Sequence, residues 1–221
     1  MGEAFVRGMQ GNNANDLRSR SNVAACLKHY IGYGVPANGR DRSPAHISER
    51  ELREVHLPPF EAALNAGALT VMLNSGEVNG VPGHANARYV RDMLKGELGF
   101  AGLVVSDWED VVNLYARDKV AESPEAAVRL DYSFAEHCVA LCRRGDYAFL
   151  RRVEDAVERI LTVKERLGLF EAPFPREEDL KSIGTDESES LNLEAARESI
   201  VLAKNVNGTL PLDRNNAQKR I

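Results

Sequence analysis

Val104-Val105-Ser106-Asp107-Trp108 places an acid and the chain's single tryptophan directly behind two β-branched residues. The stretch Gly102 to Ser106 is short and apolar and opens behind Gly99 and Gly102, which reads as a buried parallel strand. A carboxylate just past the end of such a strand sits where α/β barrels place their chemistry. The neighbouring aromatic offers the flat apolar face that a sugar ring needs. An Asp at this point also serves as the N-cap of a following helix, so the pentapeptide alone leaves both roles open. A second apolar run, Val23 to Tyr30, ends in the pair Lys28-His29. Two adjacent cationic side chains at a strand mouth are costly unless they face solvent or a polar ligand. Gly39-Arg40-Asp41-Arg42 follows in a loop rich in Gly and Pro. One strand end thus supplies donors and another a carboxylate, an arrangement suited to a polyhydroxylated substrate.

Three strand–helix units must position these residues. The expected strands are Val23–Tyr30, Leu69–Asn74 and Gly102–Ser106. Their helices are expected over Ser48–Ala66, Arg88–Leu98 and a fused segment from Pro124 to Cys142, with a further helix over Leu150–Leu167. Ser48-Glu49-Arg50-Glu51 is a capping-box pattern, Asn65-Ala66-Gly67 a stop signal, and Pro58-Pro59 must interrupt or kink its helix. The stretch Glu171 to Glu189 carries two prolines, a dense acidic run and Gly184, the mark of a linker. Leu191 to Lys204 reads as an amphipathic helix, and the polar tail Asp213–Ile221 as disordered.

The chain is 43% hydrophobic with a net charge of −5, enough apolar content for a core and no basic stripe for nucleic acid. No apolar run reaches the roughly 18 residues of a membrane span, and Met1-Gly2-Glu3-Ala4-Phe5 lacks a signal-peptide pattern. Three cysteines show no zinc spacing: Cys26 is expected as a small core residue, and Cys138 and Cys142 as helix packing rather than metal ligands. No metal or other cofactor is expected. His46, His56, His84 and His137 have no paired partners in sequence and read as packing or surface residues, with His84 in a loop on the presumed active face.

An ordered set of motifs resembles glycoside hydrolase family 3, whose members are β-glucosidases, exo-β-glucanases, β-xylosidases and N-acetylglucosaminidases. The motifs are Lys28-His29, Gly39-Arg40-Asp41, the run from Thr70 through Asn74-Ser75-Gly76-Glu77-Val78-Asn79-Gly80-Val81-Pro82, and Ser106-Asp107-Trp108-Glu109-Asp110. Arg159-Ile160-Leu161, Leu167-Gly168-Leu169-Phe170 and Ala203-Lys204-Asn205 continue the series, so the resemblance covers nearly the whole chain. It is strongest to the glucosidase and glucanase branch. It implies an α/β fold: the C-terminal part of a (β/α)8 barrel over residues 1–170, a linker over 171–190, and the start of an α/β sandwich domain over 191–221. The early barrel strands are expected to be missing. So is the last strand, because Leu130 runs directly into Asp131-Tyr132-Ser133-Phe134 where the family has a strand.

The resemblance also implies a mechanism. Retaining glycosidases use two carboxyls about 5 Å apart. Asp107 matches the family nucleophile, and Lys28 and His29 match residues that hydrogen-bond sugar hydroxyls. Trp108 is expected to pack on an apolar sugar face. The charges of Lys28 and Arg40 would favour an ionised Asp107. Arg40 and Asp41 are expected to brace the site as an ion pair, and Met72 and Ser75 to fall at the neighbouring strand end. Many relatives carry a Tyr near Ser75 that supports the nucleophile; its absence here marks a subfamily or a weaker support. Glu77 reads as a solvated loop residue, and Glu109 and Asp110 as helix-start charges. No residue matches the acid/base, so none is assigned. The implied partner is a β-linked glucoside or oligosaccharide, cleaved from its non-reducing end, and a secreted or periplasmic parent stays open. Two other readings compete: an inactive remnant that binds carbohydrate or a partner, and a barrel enzyme using Lys28 as a Schiff-base lysine.

Overall fold

The computed structural model describes residues 1–130, 143–208 and 210–212, which fall into two compact units, Met1–Pro173 and Phe174–Ile221. The first unit is built on a parallel sheet of three strands in the order β1 (Cys26–Tyr30), β2 (Thr70–Leu73), β5 (Leu103–Val105). Leu27 lies opposite Val71 and Val71 opposite Val104, so β2 is the central strand. Two short strands, β3 (Glu77–Val78) and β4 (Val81–Pro82), form an antiparallel hairpin beyond the end of β2.

All three expected strands form, each shorter than its apolar run. Val23 and Ala24 precede β1 rather than extending it. Alternation along β2 sends Val71 and Leu73 into the core and leaves Thr70 and Met72 half-buried on the other face. Val71 and Leu73 pack with Leu52, Leu57, Tyr89, Met93 and Leu94. Those residues come from the helices over 49–65 and Arg88–Glu97, which cover one face of the sheet. Cys26 is exposed, not a core residue, because among the described residues nothing covers the face of β1 that carries Cys26 and Lys28.

Local signals behave largely as their chemistry requires. Ser48 Oγ accepts the Glu51 N–H and starts the 49–65 helix, and Gly67 ends it at φ 94°. The prolines do not break that helix. They stand in the first turn of its Leu57–Asn65 segment, and the turn before them, Leu52–His56, widens to π-type bonding. A helix over Gly2–Gln10, not read from the sequence, buries Val6, which clusters with Ala63 and Ala25. Its last residue, Gln10, is buried: its amide NH₂ donates to Gly67 O at 2.7 Å, and its Oε1 accepts the Ala25 N–H at 2.9 Å and the Leu69 N–H at 3.3 Å. One side chain thereby ties together the chain entering β1 and β2.

The helix expected over Leu150–Leu167 spans Tyr147–Arg166, begun by Asp146 accepting the Phe149 N–H. The fused helix expected from Pro124 to Cys142 is described only over Pro124–Leu130. The expected loss of a barrel strand after Leu130, the packing of Cys138 and Cys142, and His137 all lie outside the described residues. In the second unit, the helix expected over Leu191–Lys204 forms at Asp186–Ser199 instead. Thr185 accepts the Ser188 N–H, and Asp186, Glu187 and Glu189 complement the helix dipole, so the helix starts inside the stretch read as linker.

Gly102 shows how closely β5 is laid against its neighbour. A Cβ there would stand 2.3 Å from Leu69 O, the acceptor of the Leu103 N–H that opens the β2–β5 ladder. Gly102→Ala is expected to cost about 1–3 kcal/mol of stability in urea melts, as overpacking does. Gly8→Ala, which meets nothing within 4 Å on the exposed side of the first helix, is expected to be neutral or to stabilise by up to about 1 kcal/mol.

Candidate active site

The site lies where the C-terminal ends of the three parallel strands meet. The end of β2 is fastened to the end of β1 by Asn74. Its N–H donates to Tyr30 O at 2.7 Å, its side-chain amide donates to Ile31 O at 2.9 Å, and its Oδ1 accepts the Gly76 N–H at 2.6 Å. Asn74 and Ser75 are both buried. With this turn held on both sides, the Ser75 hydroxyl points across to β5 and donates to Asp107 Oδ2 at 2.6 Å. The Trp108 N–H donates to Asp107 Oδ1, also at 2.6 Å. Both carboxylate oxygens are therefore held, and the Asp107 side chain keeps 20% of its surface open.

Two basic side chains face Oδ2. Arg42 Nη2 stands 3.8 Å away and His29 Nε2 3.7 Å. Desolvation pushes the Asp107 carboxyl up, but the Ser75 hydroxyl, the Trp108 N–H, His29 and Arg42 together outweigh it and hold the group below the usual carboxylate range. Burial lowers the His29 pKa, and Lys28 and Arg42 lower it further against the pull of Asp107 and Asp41. His29 is thus neutral near pH 7, and at 3.7 Å its contact with Asp107 is a dipole beside a charge, not an ion pair. Asp107 is an ionised acid with spare lone pairs, next to a neutral imidazole and a fixed cation.

The rim of the site is aromatic and polar. Trp108 is 76% exposed, a free flat face beside the carboxylate. Tyr33 and His29 have ring centroids 4.5 Å apart, and the Tyr33 hydroxyl donates to Asp41. Asp41 in turn lies 3.9 Å from Arg42. Behind the carboxylate, His84 Nε2 accepts the Asp107 N–H at 3.3 Å. A separate cavity, lined by Leu69, Gly102, Asp155 and Arg159, opens at the opposite ends of β2 and β5. It lacks the carboxylate constellation.

Of the residues singled out from the sequence, the fold brings His29, Ser75 and Trp108 onto Asp107. Lys28 is exposed at the strand mouth and acts on the site through its charge on His29. Met72 is half-buried in β2 opposite Val105 and has no polar tie to Asp107. Arg40 is displaced from its expected role. Its backbone N–H donates to Asn38 Oδ1, and both Asp107 and Asp41 pair with Arg42 instead. The reason is local: Arg42 takes a left-handed conformation, φ 60°, that turns the loop back toward the strand ends. The missing Tyr is also answered, since Ser75 itself reaches the carboxylate. The structure adds His84 and Asp110 to the site. Both are buried, and an isolated His and a helix-start Asp carry no sequence signal of such a place.

Known proteins carry the same frame. The model of the glycosyl hydrolase family 3 N-terminal domain matches residues 1–163. The chain belongs to glycosyl hydrolase family 3. A lysosomal beta glucosidase of Dictyostelium discoideum is 41% identical, covering 97% of this chain and 28% of the relative. A beta-xylosidase of Formosa agariphila is 37% identical over 96% of this chain and 32% of its own length. The crystal structure of a beta-glucosidase from Listeria innocua in complex with gluconolactone superposes with a TM-score of 0.85 at 34% identity, covering 96% of this chain and 31% of that one. The chain spans about three-tenths of the length of these relatives. The resemblance to a family of glycosidases with a barrel-like α/β N-terminal domain is thereby established.

The hydrogen bond from Ser75 makes a pH-dependent prediction. A carboxyl depressed in the folded state adds stability above its unfolded pKa, about 4, and that contribution is lost as the pH falls through the lower folded value. Ser75→Ala removes the foremost group lowering Asp107 and leaves desolvation unopposed by it. Its expected cost is about 1–3 kcal/mol at pH 7. In urea melts that cost should shrink as the pH is lowered from 7 toward 3; an equal cost at every pH would show that Ser75 does not act on the ionised acid.

Proposed function

We propose that this chain carries the nucleophile half of a retaining β-glucosidase site. The observation that carries the reading is the ionised Asp107, both oxygens hydrogen-bonded, at the end of a parallel strand beside an exposed tryptophan. In the first step an Asp107 oxygen attacks the anomeric carbon. The new Oδ–C1 bond forms as the bond from C1 to the leaving oxygen breaks, and the leaving oxygen takes a proton from a general acid. In the second step water, losing a proton to the same group acting as base, attacks C1 and frees the carboxylate, so the configuration is retained overall. The held geometry supports the step because Ser75 and Trp108 fix the carboxylate without neutralising it, and an anion is needed both to attack and to stabilise the oxocarbenium-like transition state.

Lys28, His29 and Arg42 supply donors for sugar hydroxyls around that carbon, and Trp108 a platform for an apolar sugar face. Arg42 replaces Arg40 in this assignment. The glucoside class is supported by the relatives. Crystal structures of the Listeria innocua enzyme hold glucose and, in a mutant, laminaribiose. We read residues 1–170 as part of a (β/α)8 barrel, with the helix-covered face of β2 on its outside. No acid/base is assigned within the chain, so turnover of ordinary glucosides by the chain alone is expected to be slow.

A 2-deoxy-2-fluoro-glucosyl fluoride tests the nucleophile by itself, because fluoride leaves without protonation. Incubation is expected to add a single glycosyl mass to the intact protein, and Asp107→Ala to show none. A chain that is folded by circular dichroism yet takes no adduct would overturn the nucleophile reading and leave binding as its activity.

A further inference from the structure

Asp110 was expected as a helix-start charge, but its side chain is only 1% exposed. A helix-dipole partner works as well at the surface, and burial of a carboxylate is costly without partners. Its surroundings show what it faces. Oδ1 accepts from the Asn113 amide at 3.2 Å and stands 3.7 Å from Arg117 Nη1. Among the described residues Oδ2 has no hydrogen-bond partner, and it lies 3.8 Å from Nδ1 of His84, itself 3% exposed. Both flanking groups continue to Asp107. His84 Nε2 accepts the Asp107 N–H, and Arg117 Nη2 donates at 2.8 Å to Ser75 O, the residue whose hydroxyl holds Oδ2 of Asp107. The five residues form a ring, hydrogen-bonded around Asp107 and completed at Asp110 by contacts of 3.7 and 3.8 Å to Arg117, which Asp118 also holds at 2.6 Å, and to His84.

We infer that Asp110 is a positioning residue for the nucleophile, acting through His84 on its backbone and through Arg117 and Ser75 on its carboxylate. This rests on the reading of Asp107 as nucleophile. The chemistry of the imidazole fixes the direction of the His84 arm. Nε2 can accept the Asp107 N–H only with a lone pair, which leaves the ring hydrogen to Nδ1, the nitrogen 3.8 Å from Asp110 Oδ2. The opposite tautomer, or a protonated ring, would set one N–H against another and push the nucleophile off its place. Glu109, between Trp108 and Asp110, is left-handed at φ 58°, an unfavourable conformation for a residue with a side chain. It turns the helix start so that Asp110 lies beneath His84 instead of projecting outward.

The test measures both the rate constant of glycosyl-adduct formation and the apparent binding constant of the fluoroglucosyl fluoride, together with the tautomer of His84 by ¹⁵N NMR. The unsubstituted chain is expected to hold His84 with its hydrogen on Nδ1. Asp110→Asn and His84→Leu are expected to slow adduct formation about ten- to a hundredfold while binding changes by less than about threefold, since a small misplacement of the attacking atom costs rate rather than affinity. His84→Gln, whose amide oxygen can accept the Asp107 N–H, is expected to restore the rate to within about threefold. Folded Asp110→Asn and His84→Leu proteins with the parent rate, or a hydrogen on Nε2 of His84 in the parent, would overturn the inference while the nucleophile reading stood. If the leucine variant does not fold, Asp110→Asn and the tautomer decide. Absence of any adduct in the parent would overturn the nucleophile reading itself, and the positioning role with it.

Discussion

The parallel pairing of β2 with both β1 and β5 is the constraint on which the site depends. Parallel strands end on the same side, so one register places Lys28-His29, Asn74-Ser75 and Asp107-Trp108 at a common edge. Residues separated by nearly eighty positions in sequence reach one carboxylate only because β2 lies between the other two strands. Gln10 ties the strand starts, Asn74 ties the strand ends, and the burial of Val71 and Leu73 under two helices fixes which face of β2 is which. A one-residue slip of β2 would reverse its faces and carry Ser75 away from Asp107.

Around Asp107 the structure sets hydrogen bonds and charge against desolvation. A carboxylate in an open solvated loop would ionise readily but point anywhere. One sealed in the core would be well placed but protonated. Here it is partly covered, and neutral donors hold each oxygen while Arg42 and the dipole of His29 supply the remaining field. Ser75 suits this role better than a second cation would: a hydroxyl orients the anion without discharging it. The His84 loop lies behind the carboxylate, and the exposed Trp108 stands beside it.

The strand ends were legible in the sequence because short β-branched runs followed directly by polar residues mark where a parallel strand leaves the core. That logic found Lys28-His29 and Asp107-Trp108, while Ser75 came from the resemblance to family 3. It overran the strand starts at Val23, Leu69 and Gly102: Val23 is exposed ahead of β1, and Leu69 contributes only its carbonyl to the first rung of the β2–β5 ladder. Within the Gly39–Arg42 loop the family motif pointed to Arg40, and nothing in the alternation Arg40-Asp41-Arg42 tells which arginine a left-handed turn will aim inward. His84 and Asp110 escaped it for a different reason. Their burial depends on contacts made between distant segments: Gly83 passes so near Asn74 that a Cβ would meet its carbonyl at 2.3 Å, and the bend at Glu109 turns Asp110 under the neighbouring loop. Periodicity reports the face of an element, not the reach of a loop.

The ionisation of Asp107 is tested most directly by titrating its side-chain carbon, followed by ¹³C NMR in the folded chain. The expected midpoint lies below the ordinary aspartate value of about 3.9, with the carboxylate fully ionised at neutral pH. A midpoint at or above that value would mean that desolvation wins over the Ser75, Trp108, His29 and Arg42 contacts. The strand ends would then not meet as described, and the site built on them would fall.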